Sequence, residues 1–107
     1  MQIKIIVWTD TESGERSLWI SDGDRRMVNL SIEEADAMAA DLASRAKGKK
    51  TGGAPIRVVF GEREFDCDPA DARRLAEGLA GNAEEARKPK RTYVPTLVRS
   101  AMVEEPA

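Results

Sequence analysis

The first thirty residues alternate between apolar and polar positions. From Gln2 to Trp8, Ile3, Ile5 and Val7 fall on one side of an extended chain and Ile6 and Trp8 on the other, which predicts a strand with apolar residues on both faces. The polar stretch Thr9 to Glu15 interrupts the pattern, and Arg16 to Ser21 resumes it, with Leu18 and Ile20 opposed to Trp19. Asp22-Gly23-Asp24 reads as a hairpin turn into a third strand from Arg26 to Leu30. Pairing Val7 with Ile20 sets Trp8 opposite Trp19, since directly paired residues share a face. Pairing Ile20 with Val28 and Leu18 with Leu30 then gathers Ile3, Ile5, Val7, Leu18, Ile20, Val28 and Leu30 into one continuous apolar face.

The period changes at Ser31. Ile32, Ala35, Met38, Ala39, Leu42 and Ala46 recur at helical spacing, and Ser31 with Glu34 three residues on forms a capping box, so a helix begins here and ends near Lys47 or Gly48. The following Gly/Lys segment, 48–53, has no large apolar side chain to anchor it and reads as a mobile linker. A second unit repeats the plan over 54–86. Ile56, Val58 and Phe60 alternate, Gly61-Glu62 suits a type II′ turn, and Phe65 and Cys67 return on the same face with Arg57 opposite Asp66 outside. Asp68 caps a helix with Pro69 in its first turn, and Ala72, Leu75, Ala76, Leu79 and Ala83 carry its apolar stripe. At an offset of 37 residues the helices share Ala35, Ala39, Leu42, Ala43 and Ala46 with positions 72, 76, 79, 80 and 83. Duplication and convergence on one amphipathic pattern account for this equally well.

The predicted fold is therefore a single small α+β domain over 1–86, of order βββαββα. Two hairpin-helix units, 1–47 and 54–86, pack helices on antiparallel sheet, and 87–107 form a C-terminal arm. Whether the two units share one sheet is open.

Composition narrows the chemistry. The chain of 107 residues has no histidine and one cysteine, which removes the commonest acid-base group at neutral pH, the triads built on it, an internal disulfide and most zinc sites. Cys67 lies between Asp66 and Asp68 on an inward strand position and reads as a small buried hydrophobe. Glu62, Glu64, Asp66 and Asp68 alternate along a hairpin, where side chains about 7 Å apart do not share one ion. Gly48-Lys49-Lys50-Thr51 lacks the spacing of a phosphate loop. No catalytic, metal or cofactor residues are assigned, and a non-enzymatic protein is expected. The apolar run Ile5 to Trp8 is too short for a membrane span or a secretory core. A cytoplasmic protein without membrane association is expected, with a composition that suits a GC-rich bacterial or phage genome.

Two features point to binding. Ile6, Trp8, Trp19 and Met27 gather on the sheet face opposite the principal core, a patch large enough to need cover. Internal cover would come from a helix taking that face or from Tyr93 and Leu97 of the arm. The alternative is a protein interface, most simply a homodimer. The second feature is charge: residues 1–86 carry a net −5 and 87–107 a net +3. Arg87, Lys88, Lys90, Arg91 and Arg99 of the arm, with Lys49 and Lys50 of the linker, are the candidate nucleic-acid contacts. The leading expectation is a protein-binding, regulatory or adaptor protein that self-associates through the tryptophan face or the arm. The second is a weak, salt-sensitive nucleic-acid binder that uses the arm.

Overall fold

The computed structural model describes residues 2–88 and 100–104. The elements run β1 (Gln2–Thr9), β2 (Arg16–Asp22), β3 (Arg25–Leu30), α1 (Ile32–Ala46), β4 (Ile56–Phe60), β5 (Arg63–Cys67), α2 (Pro69–Arg87) and β6 (Ser100–Glu104). The order βββαββα of the α+β fold is as expected. The units do not share a sheet: β3-β2-β1-β6 form one antiparallel sheet and β4-β5 a separate hairpin. Part of the arm supplies β6, which pairs with β1 from Gln2↔Glu104 to Ile6↔Ser100.

The β1–β2 register differs from expectation by two residues. Val7 pairs with Leu18, Ile6 with Trp19 and Trp8 with Ser17, so the apolar face is kept but the tryptophans are not directly opposed. The loop explains the shift. Asp10 Oδ1 accepts the N–H groups of Glu12 and Ser13 at 2.8 and 3.2 Å, and Gly14 turns the chain back at φ 76°. Asp10 N–H then donates to the Glu15 carbonyl at 2.8 Å, extending the ladder past Thr9↔Arg16. An aspartate that caps its own turn and a glycine free of a Cβ make this connection shorter than polarity alone suggests.

The β2–β3 register holds as expected at Leu18↔Leu30 and Ile20↔Val28, but a bulge follows, because Ser21 pairs with Arg26. Met27 is the extra residue. The β4–β5 hairpin keeps its expected register, including Arg57↔Asp66, and Gly61 sits at φ 62° while no non-glycine residue among the described residues has positive φ, as a type II′ turn requires. Arg57 donates to Asp66 and Glu64, both at 2.9 Å, and these bonds, that to Asp66 foremost, hold its guanidinium even more firmly protonated.

Both helices lie on the same face of the four-stranded sheet, α1 against β2 and β3, α2 against β1, β2 and β6. They run antiparallel: Arg87 at the end of α2 pairs with Asp36 near the start of α1, while Arg73 near the start of α2 donates to the Ala46 carbonyl at 3.0 Å. Ala35, Ala39, Leu42 and Ala46 of α1 and Ala72, Ala76, Leu79 and Ala83 of α2 are all buried, so the shared positions are those that pack the core. The inner side of the second hairpin, Ile56, Val58, Phe60 and Cys67, completes one apolar cluster with the sheet and the helices. The Gly/Lys linker is tied rather than loose, through Arg73 donating to the Lys49 carbonyl at 2.9 Å and Gly52 N–H donating to Asp68.

The capping box is formed as expected. Ser31 N–H donates to Glu34 Oε1 at 2.9 Å and Glu34 N–H to Ser31 Oγ at 3.1 Å. These bonds, the backbone one foremost, hold the Glu34 carboxyl below the usual carboxylate range. A lowered folded pKa gives stability that is full above the unfolded value and lost as pH falls through the folded one. Ser31→Ala is expected to cost about 1 kcal/mol at neutral pH. Glu34→Gln should flatten the acid limb of the stability curve, checked by urea unfolding between neutral pH and pH values below the carboxylate range.

Among the described residues Ser21, Asp71 and Asn82 are polar and buried, Asn82 most deeply. Asn82 is 1% exposed and its Nδ2 donates to the Gly78 carbonyl at 2.7 Å, but its Oδ1 has no partner among the described residues. Removing a buried unsatisfied acceptor recovers a desolvation cost of about 1 kcal/mol or more. Asn82→Leu is therefore expected to raise the thermal midpoint, and a lowered midpoint in calorimetry would count against this assignment.

Candidate functional site

With both helices on one side, no described helix covers the other side of the sheet. Its central row, read across the strands, is Ile6, Trp19 and Asn29; the row toward the start of β1 is Lys4, Ser21 and Arg26; the row toward its end holds Trp8 and Ser17. The two tryptophans and Ile6 are half-buried. The sequence expectation that Ile6, Trp8 and Trp19 share a surface therefore matches their placement.

Met27 does not join them. It packs against the core cluster with Val28, because the bulge turns one extra β3 residue inward and passes the outer position to Arg26. The Arg26 guanidinium lies 4.8 Å from the centroid of the Trp19 ring and 5.6 Å from that of Trp8. Its charge rests on the ring faces, where the quadrupole attracts it. The bulge is held from outside: the Gly61 turn packs against it so closely that a Cβ at Gly61 would stand 3.0 Å from the Met27 carbonyl oxygen. Arg63 adds an ion pair to Asp22 at 2.9 Å.

Beside Trp8 the face opens into a cleft of about 620 Å³. Trp8, Ser17, Trp19 and Asn29 form its sheet side, and Asp10, Glu15, Glu33 and Glu34 give it four carboxylates against the single cation Arg16. Arg16 is engaged elsewhere, donating to the Ala86 carbonyl at 2.9 Å and to the Lys88 carbonyl. Asp10 serves its turn and Glu34 the capping box; Glu15 is exposed and held through its backbone, its N–H donating to Ser13 Oγ at 3.1 Å, and the exposed Glu33 acts electrostatically on Arg87. Lys4 thus lies in the row toward the start of β1 and the carboxylates lie beside Trp8, with the Arg26 guanidinium over the two rings between them. Neither Arg26 nor these carboxylates was assigned to the site from sequence.

The other candidates are dispersed. Lys49 and Lys50 follow the end of α1, while Arg87 and Lys88 lie at the opposite end of the antiparallel helix pair. Arg87 is paired with Asp36 and Lys88 with Glu85, the latter at 3.2 Å. The hydrogen bond to Asp36 raises the Arg87 pKa. Tyr93, Leu97, Lys90, Arg91 and Arg99 lie outside the described residues. Cys67 is buried, as expected.

A larger groove of about 750 Å³ runs between α1 and α2, with Ala39, Ala40, Ala43, Ala76 and Ala80 along it and Asp36, Lys47, Arg73 and Glu77 also lining it. Among the described residues no cluster of His, Cys, Asp or Glu is placed to hold a metal ion, and no helix is long and apolar enough to cross a membrane. No protein-family model, no curated protein and no solved structure matches the chain.

The ring contacts give a direct test of the face. Arg26→Gln removes the cation but not the strand, and is expected to make tryptophan emission more accessible to acrylamide in dilute protein, with a stability loss of about 0.5–1 kcal/mol. Unchanged quenching would show that Arg26 does not cover the rings.

Proposed function

We propose that this chain is a non-enzymatic, regulatory or adaptor-type protein that binds protein through the outer face of its four-stranded sheet and self-associates there. The observation that supports this reading is the placement of Trp8, Trp19 and Ile6 on a sheet face that no described helix covers. Tryptophan and arginine together, centred on a patch and ringed by polar residues, is the composition that protein interfaces concentrate at their energetic centres. An active site asks for a different arrangement, an enclosed pocket with converging reactive groups. The carboxylate-rich cleft has charge but no paired nucleophile or base among its lining residues.

A second reading follows from Arg26. With Lys4 it brings cations next to two aromatic rings, a combination that also stacks and neutralises single-stranded nucleic acid. Carboxylates at the cleft oppose a phosphate chain crossing the whole face. The arm-based form of this reading has less support, since its described cations, Arg87 and Lys88, are paired within the chain.

Sedimentation of the full chain from about 5 to about 500 μM covers the weak end of protein interfaces. The expected result is a mass rising toward two chains, with tryptophan emission shifting to the blue as it does so. Trp19→Ser and the milder Ile6→Thr, each checked for folding by circular dichroism, should remain single chains. A one-chain mass and constant emission throughout would overturn self-association. Capture of labelled oligothymidylate that weakens steeply with salt and is lost in Arg26→Gln would favour nucleic acid instead.

A further inference from the structure

Strands β4 and β5 pair only with each other, so β4 has an outer edge. The two-residue turn Gly61-Glu62 makes Phe60 and Arg63 a hydrogen-bonded pair, and such pairs alternate along an antiparallel ladder. Ile56, Val58 and Phe60 therefore direct their backbone groups at β5, while Arg57 and Val59 direct theirs outward. Arg45 of α1 fits this parity, since its guanidinium donates to the Arg57 carbonyl at 2.7 Å. The Arg57 N–H and both backbone groups of Val59 have no partner among the described residues.

This edge borders a groove of about 310 Å³ between β4 and α1, with Met38, Leu42 and Val58 as its apolar floor and Asp41 and Arg45 on the helix side. Val59, at 44% exposure, is the one large apolar side chain standing in water among the described residues. We propose that β4 accepts an extended segment of a partner protein as a third strand, laid in the groove between the β4 edge and α1. Added strands take their affinity from main-chain hydrogen bonds and their selectivity from alternate side chains. The surface shares no residue with the tryptophan face, so it stands independently of self-association there.

The lining states the chemistry of the segment. Every second residue of an added strand faces the groove, where Met38, Leu42 and Val58 call for an apolar side chain. The lining also holds two arginines against one aspartate. Asp66 and Glu64 already answer Arg57, both at 2.9 Å, whereas Arg45 divides its donors between Asp41 and the Arg57 carbonyl. An added strand takes over that carbonyl with an N–H of its own. Nη1 of Arg45 is then released beside the groove, and a carboxylate at a groove-facing position of the segment matches it. The partner segment is therefore extended and apolar, with an aspartate or glutamate on its groove side. In the free chain Arg45 shields the edge, as charged side chains do on exposed strands.

Selection of randomised peptides displayed on phage, with the full chain as bait, tests the proposal. Enriched sequences are expected to alternate, with apolar and acidic residues sharing the same set of every-second positions. A synthetic peptide of an enriched sequence should bind Val59→Pro about tenfold or more weakly. That substitution removes an outward N–H the β4–β5 ladder does not use, as edge strands allow, and circular dichroism checks its folding. N-methylation of the peptide tests the same bonds without altering the protein: methyl groups on one alternate set of amides should abolish binding, and on the other set leave it intact. Arg45→Met should weaken the acidic peptide but not its amide counterpart, and Trp19→Ser should change neither. No enriched sequence, or binding indifferent to Val59→Pro and to both methylation patterns, would overturn strand addition at β4. Peptides lost on Trp19→Ser alone would overturn it equally, by placing their site on the tryptophan face.

Discussion

The close antiparallel contact between α1 and α2 decides where everything else lies. Both helices carry alanine at the positions that approach one another and the sheet, and small side chains let helix axes come near the lower end of the usual 8–10 Å separation. Two helices then fit side by side over one face of the sheet. Leucines and isoleucines from every layer complete the core beneath them, and the second hairpin closes its open side. The same packing leaves the opposite sheet face without a helix. What that face carries is consequently the main clue to what the chain does.

The face is shaped by one residue in excess. A two-residue turn at Gly23-Asp24 demands Asp22 opposite Arg25, while the core demands Ile20 opposite Val28; the two registers differ by one, and the bulge at Met27 absorbs the difference. Met27 goes inward and Arg26 outward, onto the tryptophans. A hydrophobic patch becomes a patch topped by a cation, next to a cleft lined by carboxylates. Bulges re-aim side chains at functional edges in many sheets, and here the Gly61 turn and the Arg63–Asp22 pair hold the bulge from a separate hairpin.

Most of the fold was legible because each local signal had a single reading. Ser31 with Glu34, Asp68 with Pro69, and Gly61-Glu62 each specify a cap or turn by chemistry, and the alternation of Ile56 to Cys67 leaves one register that buries its apolar side. The β1–β2 register was not legible, since shifting by two residues keeps the same side chains on the same face; only the Asp10 side chain and Gly14, closing a short loop, choose between the two. Arg26 was missed for a related reason. Strict alternation sends it inward, and the parity conflict between the turn and the core, which was present in the sequence, has to be noticed before the bulge can be placed. The cleft depends on the α1 start meeting the β1–β2 loop, a tertiary contact that no spacing announces. That the two units form separate sheets was likewise left open by the sequence, since no strand spacing says which edge β4 and β5 would join.

These elements make the open face a surface whose two tryptophans carry a cation, beside a cleft lined by carboxylates, and the account rests on a second copy binding there. Magnetic resonance on an equimolar mixture of isotope-labelled and unlabelled chains, concentrated into the range where pairs form, tests this most directly. Filtering for contacts between labelled and unlabelled chains separates them from the Arg26 contacts within one chain. The account predicts contacts between chains from the side chains of the open face, Ile6, Trp8 and Trp19. Inter-chain contacts confined to the alanines of the α1–α2 groove, or none at concentrations where pairs are present, would contradict it.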